Sequence, residues 1–549
     1  MYKHFFTLIL LLSFLLSSIN TMAQSIIPWL TTGSKSSLLQ PQAALTFSPS
    51  ASNGNVTISI DSTTTYQTMD GFGFCLTEGS AEVISTLTTD KQDALLTELF
   101  DPNSGLGISV LRISIGASDL SSADYTYDDG AVDLSLANFS LNGLDKIYLI
   151  PILKKILLIN PDIKILATPW TAPRWMKSTQ AWIGGTLNTA HYAAYANYFV
   201  KYFDAMKAEG IDIWAITPQN EPLHQGNDPS MGMSSTEQIN YINSYLGPTM
   251  KNAGYSGIKI IAYDHNCDNT AYPIDVCNNS TYVDGSAFHL YAGNISALTT
   301  VKNATNKNVY FTEQYTGVGG SFSGDLGWHL QNVVTGAANN WAKAIVEWNL
   351  AGNANAGPHT ASGCSTCLGA ITINNSTTFT RNVSYYIIGQ ISKFVKPGAV
   401  RIYSLSSSSS VSISAFKNSD GSTSLLAYNS SSSAQILKVT STGQAFNYTI
   451  PPLSAATFVW NRMPSAINKT AKEELKIYTN SAEQTLIVKS GLKYEHLTIY
   501  SMNGETLIKQ TNVNQSGTNT IDIQRLSKGI YFLKIDGDEY CRTLKFFKY

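Results

Sequence analysis

Two glutamates in this chain stand where acid–base or nucleophilic chemistry on a glycosidic bond would need them. Glu221 lies in TPQNEP (217–222) and Glu313 in YFTEQY (310–315), each after a β-rich apolar run. A buried strand has no packing reason to finish on Asn220, Glu221 and Pro222. Polar groups belong there if a pocket begins where the strand stops, and Pro222 is expected to end the strand because it lacks a backbone donor. Two carboxyls about 5 to 5.5 Å apart carry out double displacement, one as nucleophile and one as acid then base. A gap of roughly 6.5 to 9.5 Å admits a water and inverts the anomeric centre. Position along the chain leaves both geometries open.

The elements that must position them repeat. Between about residues 66 and 395, strand-like runs at 68–75, 108–115, 163–169, 213–220, 258–264, 285–290, 308–313 and 344–349 alternate with helical patterns, among them 144–158, 189–209, 236–251 and 383–395. Eight such units predict an α/β fold, a (β/α)8 TIM barrel. Ligands of such barrels sit at the C-terminal strand ends. The predicted ends carry Arg112 with Asp119 beyond it, Trp170, Asn220 with Glu221, Asp264-His265-Asn266, His289 with Tyr291, Glu313, and Trp348 with Asn349. Each has a plain structural reading, such as a buried ion pair for Arg112 or core packing for Trp170 and Trp348. A barrel with no site has no need to gather them all at one end.

The flanks differ in period. Residues 55–60 and 400–460 alternate like short antiparallel strands between Ser, Gly and Asn turns, so residues 25–65 and 396–462 are expected to form a β-sandwich beside the barrel. The Ser-rich tract 404–410 reads as a turn or surface edge. Residues 463–473 read as a linker, and 474–549 as a separate small β domain.

Bulk properties narrow the partners. The 549 residues carry a formal net charge of -2, from 36 basic and 38 acidic residues, which gives no electrostatic case for nucleic acid. A neutral ligand is the simpler expectation. Lys3 and His4 precede an apolar stretch, 5–16, and Thr21-Met22-Ala23-Gln24 follows, so residues 1–24 read as an export signal. No other segment is long and apolar enough for a transmembrane helix. In an exported chain, Cys364/Cys367 and Cys267/Cys277 read as local disulfides. No HExxH or second His pair supports a metal, and no Gly-rich loop follows a strand to cradle a phosphate, so neither metal nor cofactor is expected.

Eight ordered blocks carry a resemblance: DGFGFCLTEGSA (70–81), LRISIGASDLS (111–121), ATPWTAPRWMK (167–177), TPQNEP, FHLYAG (288–293), FTEQYTG (311–317), EWNLAGN (347–353) and YYIIGQISKFVKPGAVRI (385–402). On these blocks the chain resembles glycoside hydrolase family 30, retaining (β/α)8 glycosidases. The resemblance implies Glu221 as general acid/base and Glu313 as nucleophile. It implies Asn220 on the sugar 2-hydroxyl, Arg112 steadying the nucleophile, Asp119 and Trp170 on the terminal sugar, Trp348 as an aromatic floor, and His289 and Tyr291 beside Glu313. AYDHNCDNTAYP (262–273) and AGPHTASGCSTCLGAITI (356–373) look most like the β-1,6-glucanase branch, with glucosylceramidase or another β-glucosidase or xylanase as the alternative. A carbohydrate-binding protein without catalysis is the reading from another class, since a fold alone does not establish function. Glu78 departs from the pattern, and reads as a helix-start residue favoured by the helix dipole.

LTIYSMNGETL (497–507) and IDIQRLSKGIYFLKI (521–535), with the basic end TLKFFKY, resemble the C-terminal sorting domain of type IX secretion cargo. Leu526, Gly529, Ile530, Tyr531, Phe532 and Lys545 carry that resemblance. It implies a secreted or surface-attached protein that meets the secretion machinery through its tail; a polysaccharide or glycoside is expected at the barrel, and the chain is expected to be a monomer.

Overall fold

A computed structural model describes residues 25–48, 51–141, 143–461, 476–480, 484–501, 505–537 and 540–548. The expected export signal and linker lie outside the described residues. The chain divides into two compact units, 1–462 and 463–549.

Eight parallel strands close into a barrel: β1 (Gly71–Cys75), β2 (Val110–Ser114), β3 (Lys164–Thr168), β4 (Ala215–Ile216), β5 (Lys259–Cys267), β6 (Val283–Gly293), β7 (Asn308–Glu313) and β8 (Ala342–Asn349), paired in chain order with β8 returning to β1. Strands buried on both faces need continuous apolar sequence. One face supplies the barrel interior, where Val110, Leu166, Ala215, Ile261, Ala287, Tyr310, Ala344 and Val346 pack together. The alanines make room for the Tyr310 ring. The other face meets the helices, including Tyr192–Ala208, Ser235–Tyr241 and Val383–Ser392, in the largest apolar cluster. Ser234 and Glu237 form a reciprocal cap at the start of the second of these, satisfying backbone donors the first turn leaves open. Strand β1 runs so close to β2 that a Cβ on Gly73 would lie 1.8 Å from the Val110 carbonyl oxygen.

The fourth strand departs from expectation. Its ladder covers Ala215–Ile216 alone and ends well before Pro222. The backbone leaves the sheet because other acceptors take its donors: Asn220 N–H bonds the Pro169 carbonyl and Glu221 N–H bonds that of Asp264. Glu221 adopts φ +44°, a left-handed conformation costly for a side-chain-bearing residue. Pro222 therefore does not terminate the strand.

Both flanks share one sheet. Val56–Thr68 lies between Val400–Ser406 and Gln435–Ser441, and Ser25–Thr32 pairs antiparallel with Ser454–Trp460. Ile26, Ile58, Ile402, Leu425, Val439 and Phe458 are among its buried core. The 404–410 tract ends a strand and turns, with Ser406, Ser408 and Ser410 bonded among themselves. Cys364 and Cys367 form a disulfide, as read. Cys267 and Cys277 do not, which corrects the second expected pair: both are free and buried. Cys267 ends β5, while Cys277 sits on the helix Ala271–Asn279 with its thiol turned toward Ser286 of β6.

The second unit is an all-β sheet of Lys476–Asn480, Thr485–Tyr500, Thr506–Asp522, Gly529–Gly537 and Tyr540–Lys548. Leu486, Val488, Leu497, Ile499, Leu533 and Ile535 give it a core of its own. Among the described residues, no helix is long and apolar enough to cross a membrane.

Candidate active site

The C-terminal ends of the strands bring the two glutamates together. Glu313 is the last residue of β7, and Glu221 follows β4 through the bend just described. One carboxylate oxygen of each lies within 4.8 Å of the other, and both lie within that distance of a His289 ring nitrogen. This is the short spacing of the two left open by the sequence.

Every oxygen of the pair has a donor. Glu313 accepts from Arg112 Nη1 at 2.5 Å on Oε2 and from the Tyr291 hydroxyl at 3.0 Å on Oε1. Glu221 Oε1 meets His289 Nδ1 at 3.0 Å, and its Oε2 accepts from Asn227 Nδ2 at 2.9 Å. The same His289 nitrogen lies 3.7 Å from Glu313 Oε1.

Behind the pair is a carboxylate that the sequence placed at a strand end without a role of its own. Asp264 is fully buried and has four donors: Arg112 Nη2 (2.9 Å) and Thr217 Oγ1 (2.7 Å) on Oδ2, Thr312 Oγ1 (2.7 Å) and His289 Nε2 (3.1 Å) on Oδ1. Burial works against its charge, but Arg112, His289 and Thr312 overcome that and hold the group far below the usual carboxylate range. Tyr263 and Asp264 both carry positive φ, 72° and 62°, so the strand twists at this point to turn the carboxylate inward.

Arg112 is fully buried too, its guanidinium carbon 4.8 Å from the Trp170 ring and 5.7 Å from that of Trp348. A cation packed beside two aromatic rings gains from their quadrupoles once water is excluded. The two rings stand 5.3 Å apart and close one side of a cavity of about 260 Å³. Asp119, Glu221, Asn227, Tyr291, Glu313 and the Cys364–Cys367 disulfide are among its other walls.

The predicted site residues thus fall into two groups. Glu221, Glu313, Asp119, Trp170, Tyr291 and Trp348 line the cavity. Arg112, Asn220 and His289 are at most 3% exposed and do not, and the Asn220 side-chain oxygen is already bonded by Arg112 Nη2 at 2.6 Å. Asn227, which sequence reasoning passed over, sits at the surface end of the same network. Glu78 lies in the first turn of the helix Glu78–Ser85, buried against the Ser122 backbone N–H and away from the cavity.

Burial is the largest influence on each glutamate. It pushes Glu313 above the ordinary range even against His289 and Arg112, while at Glu221 it is outweighed by the His289 contact, which draws that group down. Burial and the charges of Glu313 and Glu221 push Asp119 up to about 8. For His289, burial opposes the proton but Glu313, Asp264 and Glu221 outweigh it, raising the ring to about 10. Both His289 ring nitrogens face carboxylate oxygens, Nδ1 that of Glu221 and Nε2 that of Asp264, an arrangement that favours a proton on each.

A group whose folded value is raised stabilises the fold fully below its unfolded value and loses that contribution as pH rises through the folded one. His289 therefore predicts a fall in melting temperature between about pH 6.5, the free imidazole value, and about 10. A His289→Gln variant is expected to start lower and to show a flatter decline over that window in thermal melts.

Residues 69–395 match the glycosyl hydrolase family 30 TIM-barrel domain, and residues 398–458 match that family's β-sandwich domain. The chain belongs to glycosyl hydrolase family 30. Like the other members of this family 30, it is a glycoside hydrolase. It is 35% identical over 451 residues to the endo-1,6-β-D-glucanase neg1 of Aspergillus fumigatus, covering 76% of this chain and 89% of that one. It is 27% identical to the lysosomal acid glucosylceramidase of Mus musculus, covering 72% and 82%. A solved endo-β1,6-glucanase superimposes with a TM-score of 0.75 at 38% identity, covering 80% of the family 30 chain here and 100% of its own. Residues 476–548 match a secretion system C-terminal sorting domain, and the enzyme is secreted or attached to the cell surface.

Proposed function

We propose that this enzyme cleaves β-1,6-glucan within the chain, with Glu313 as nucleophile and Glu221 as acid in the first step and base in the second. The approach of the two carboxyls to within 4.8 Å carries the double-displacement reading, because it matches the short spacing of that mechanism rather than the wider one of direct inversion. The linkage rests on the two endo-1,6-glucanases named above.

In the first step Glu313 attacks the anomeric carbon while Glu221 protonates the departing oxygen. Burial of two carboxyls this close favours one shared proton. With substrate in place that proton belongs on Glu221, because Arg112 and Tyr291 keep donating to Glu313 and hold it as the anion. Once Glu313 is glycosylated its charge is gone, and Glu221 can take a proton from water. In this reading Asn220 donates through Nδ2 to the 2-hydroxyl, since its oxygen is held by Arg112. Asp119 and Trp170 bind the terminal sugar's hydroxyls, Tyr291 borders the reacting carbon, and Trp348 is the floor. The reading takes the enzyme as a monomer. Residues 1–24 serve as its export signal and 463–473 as its linker.

Product analysis on β-1,6-glucan, β-1,3-glucan, xylan and glucosylceramide tests the proposal. The expected outcome is a ladder of β-1,6-linked oligosaccharides from the first substrate alone, with Glu221→Gln and Glu313→Gln both inactive. Monomeric glucose as the only early product, or preference for another substrate, overturns it.

A further inference from the structure

In the empty site both oxygens of Glu221 are occupied by N–H donors, His289 on one and Asn227 on the other. A carboxyl so held is stabilised as an anion, which makes it a poorer carrier of a proton toward a leaving group. The two donors differ in freedom. His289 is fully buried and anchored at its far nitrogen by Asp264, whereas Asn227 is half-buried, lines the cavity and ends the exposed stretch 223–226. Its backbone is nonetheless well placed. The next residue, Asp228, accepts from Ser362 N–H on its carboxylate and from Thr360 Oγ1 on its carbonyl, and Ser230 bonds the Trp182 carbonyl. The loop is pinned while the amide at its tip can turn. Its orientation follows from charge: the amide oxygen turned toward an ionised Glu221 would be repelled, so the nitrogen faces it.

We propose that Asn227 is a latch displaced by substrate: its amide holds Glu221 ionised in the free enzyme, then transfers to a hydroxyl of the leaving-group sugar, freeing Oε2 to carry the proton. The proton that Oε2 takes up is the one shared by the carboxyl pair: an O–H breaks on Glu313 and one forms on Glu221, and no other bond changes before glycosidic cleavage. Asn227 is a positioning residue for the acid and a ligand for the sugar on the departing side. The enzyme thereby protonates a leaving group only when a sugar occupies that side. This rests on the acid/base role proposed for Glu221.

The titratable groups facing Glu221 are His289, His265, His224, Glu313, Asp119, Tyr263 and Tyr291, and none of them is altered by a change at Asn227. The test is therefore the pH profile of kcat/KM, whose alkaline limb reports loss of the acid's proton in the free enzyme. Removing the N–H in Asn227→Ala is expected to move that limb upward by about one pH unit, and Asn227→Asp, which adds a negative charge, to move it further. KM for a β-1,6-linked oligosaccharide should rise, while an aryl β-1,6-glucobioside with no sugar in the leaving position should react nearly as before at its optimum. Unshifted alkaline limbs in both variants, with melting temperatures like the wild type's, overturn the latch. So does an equal loss on both substrates at every pH, which marks a purely structural role. Absence of β-1,6-glucan hydrolysis in the wild type would instead overturn the proposed function itself.

Discussion

Glu313→Ala is expected to lower turnover of β-1,6-glucan by about 10⁴-fold or more, the scale on which removing a covalent nucleophile acts. The variant also leaves Arg112 Nη1 and the Tyr291 hydroxyl aimed at an empty space where a carboxylate stood. A small anion such as azide fits that space and those donors, so it should restore part of the activity and yield a glycosyl azide of inverted configuration. Glu221→Ala should behave differently. Its first step depends on a proton only when the leaving group is poor, so an activated aryl substrate gives a burst and then stalls at the glycosyl-enzyme. Azide then releases a product of retained configuration. Opposite stereochemistry from the two variants would establish which carboxyl attacks, and the same configuration from both would sink the assignment.

Asp264→Ala is expected to cost about 3 to 5 kcal/mol in unfolding free energy, because removing one partner of a buried ion pair leaves the other charge uncompensated. Here two cations are left, Arg112 and His289, both fully buried. Urea unfolding measures the loss directly. Asp264→Asn keeps the volume and two acceptor sites on one atom, so a smaller loss is expected. A double change that also removes Arg112 should recover part of the stability of Asp264→Ala. The acid side follows from the same group: its folded value is depressed, so the stability it contributes is present above the unfolded value and declines as pH falls below about 4. An Asp264→Ala variant no less stable than the wild type would remove Asp264 from the centre of the network.

The barrel was legible because strands buried on both faces must be apolar throughout, and eight such runs end in polar residues. β7 was placed to the residue, since Asn308–Glu313 goes straight from wall to pocket. β4 was overextended for the opposite reason. Trp214 to Ile216 look like strand in any context, and nothing local announces that the Pro169 and Asp264 carbonyls will capture the next N–H groups. The cavity-lining residues could be read from their place at strand ends. The supporting charges stood at predicted ends too, but their convergence could not be read there: Asp264 has meaning only once Arg112 and His289, on other strands, are known to meet it. Spacing also misled for Cys267 and Cys277, where a helix turns one thiol away from the other. Asn227 belonged to a loop with no periodicity, and periodicity was the only available signal.

The order of strands in the flanking sheet bears on how the molecule comes into being. Ser25–Thr32 must wait for Ser454–Trp460, and Val56–Thr68 for Val400–Ser406 and Gln435–Ser441. Pairings between such distant segments close large loops, and their entropy must be overcome before any contact rewards it. A nascent chain that has emerged only as far as the end of the barrel therefore holds Ser25–Thr32 against its short local partners Gln40–Pro41 and Leu45–Thr46 alone, and Val56–Thr68 without either neighbour. This sheet can zip only when almost the whole catalytic unit has been released, so it forms late in synthesis even though the barrel strands pair with their neighbours in the chain.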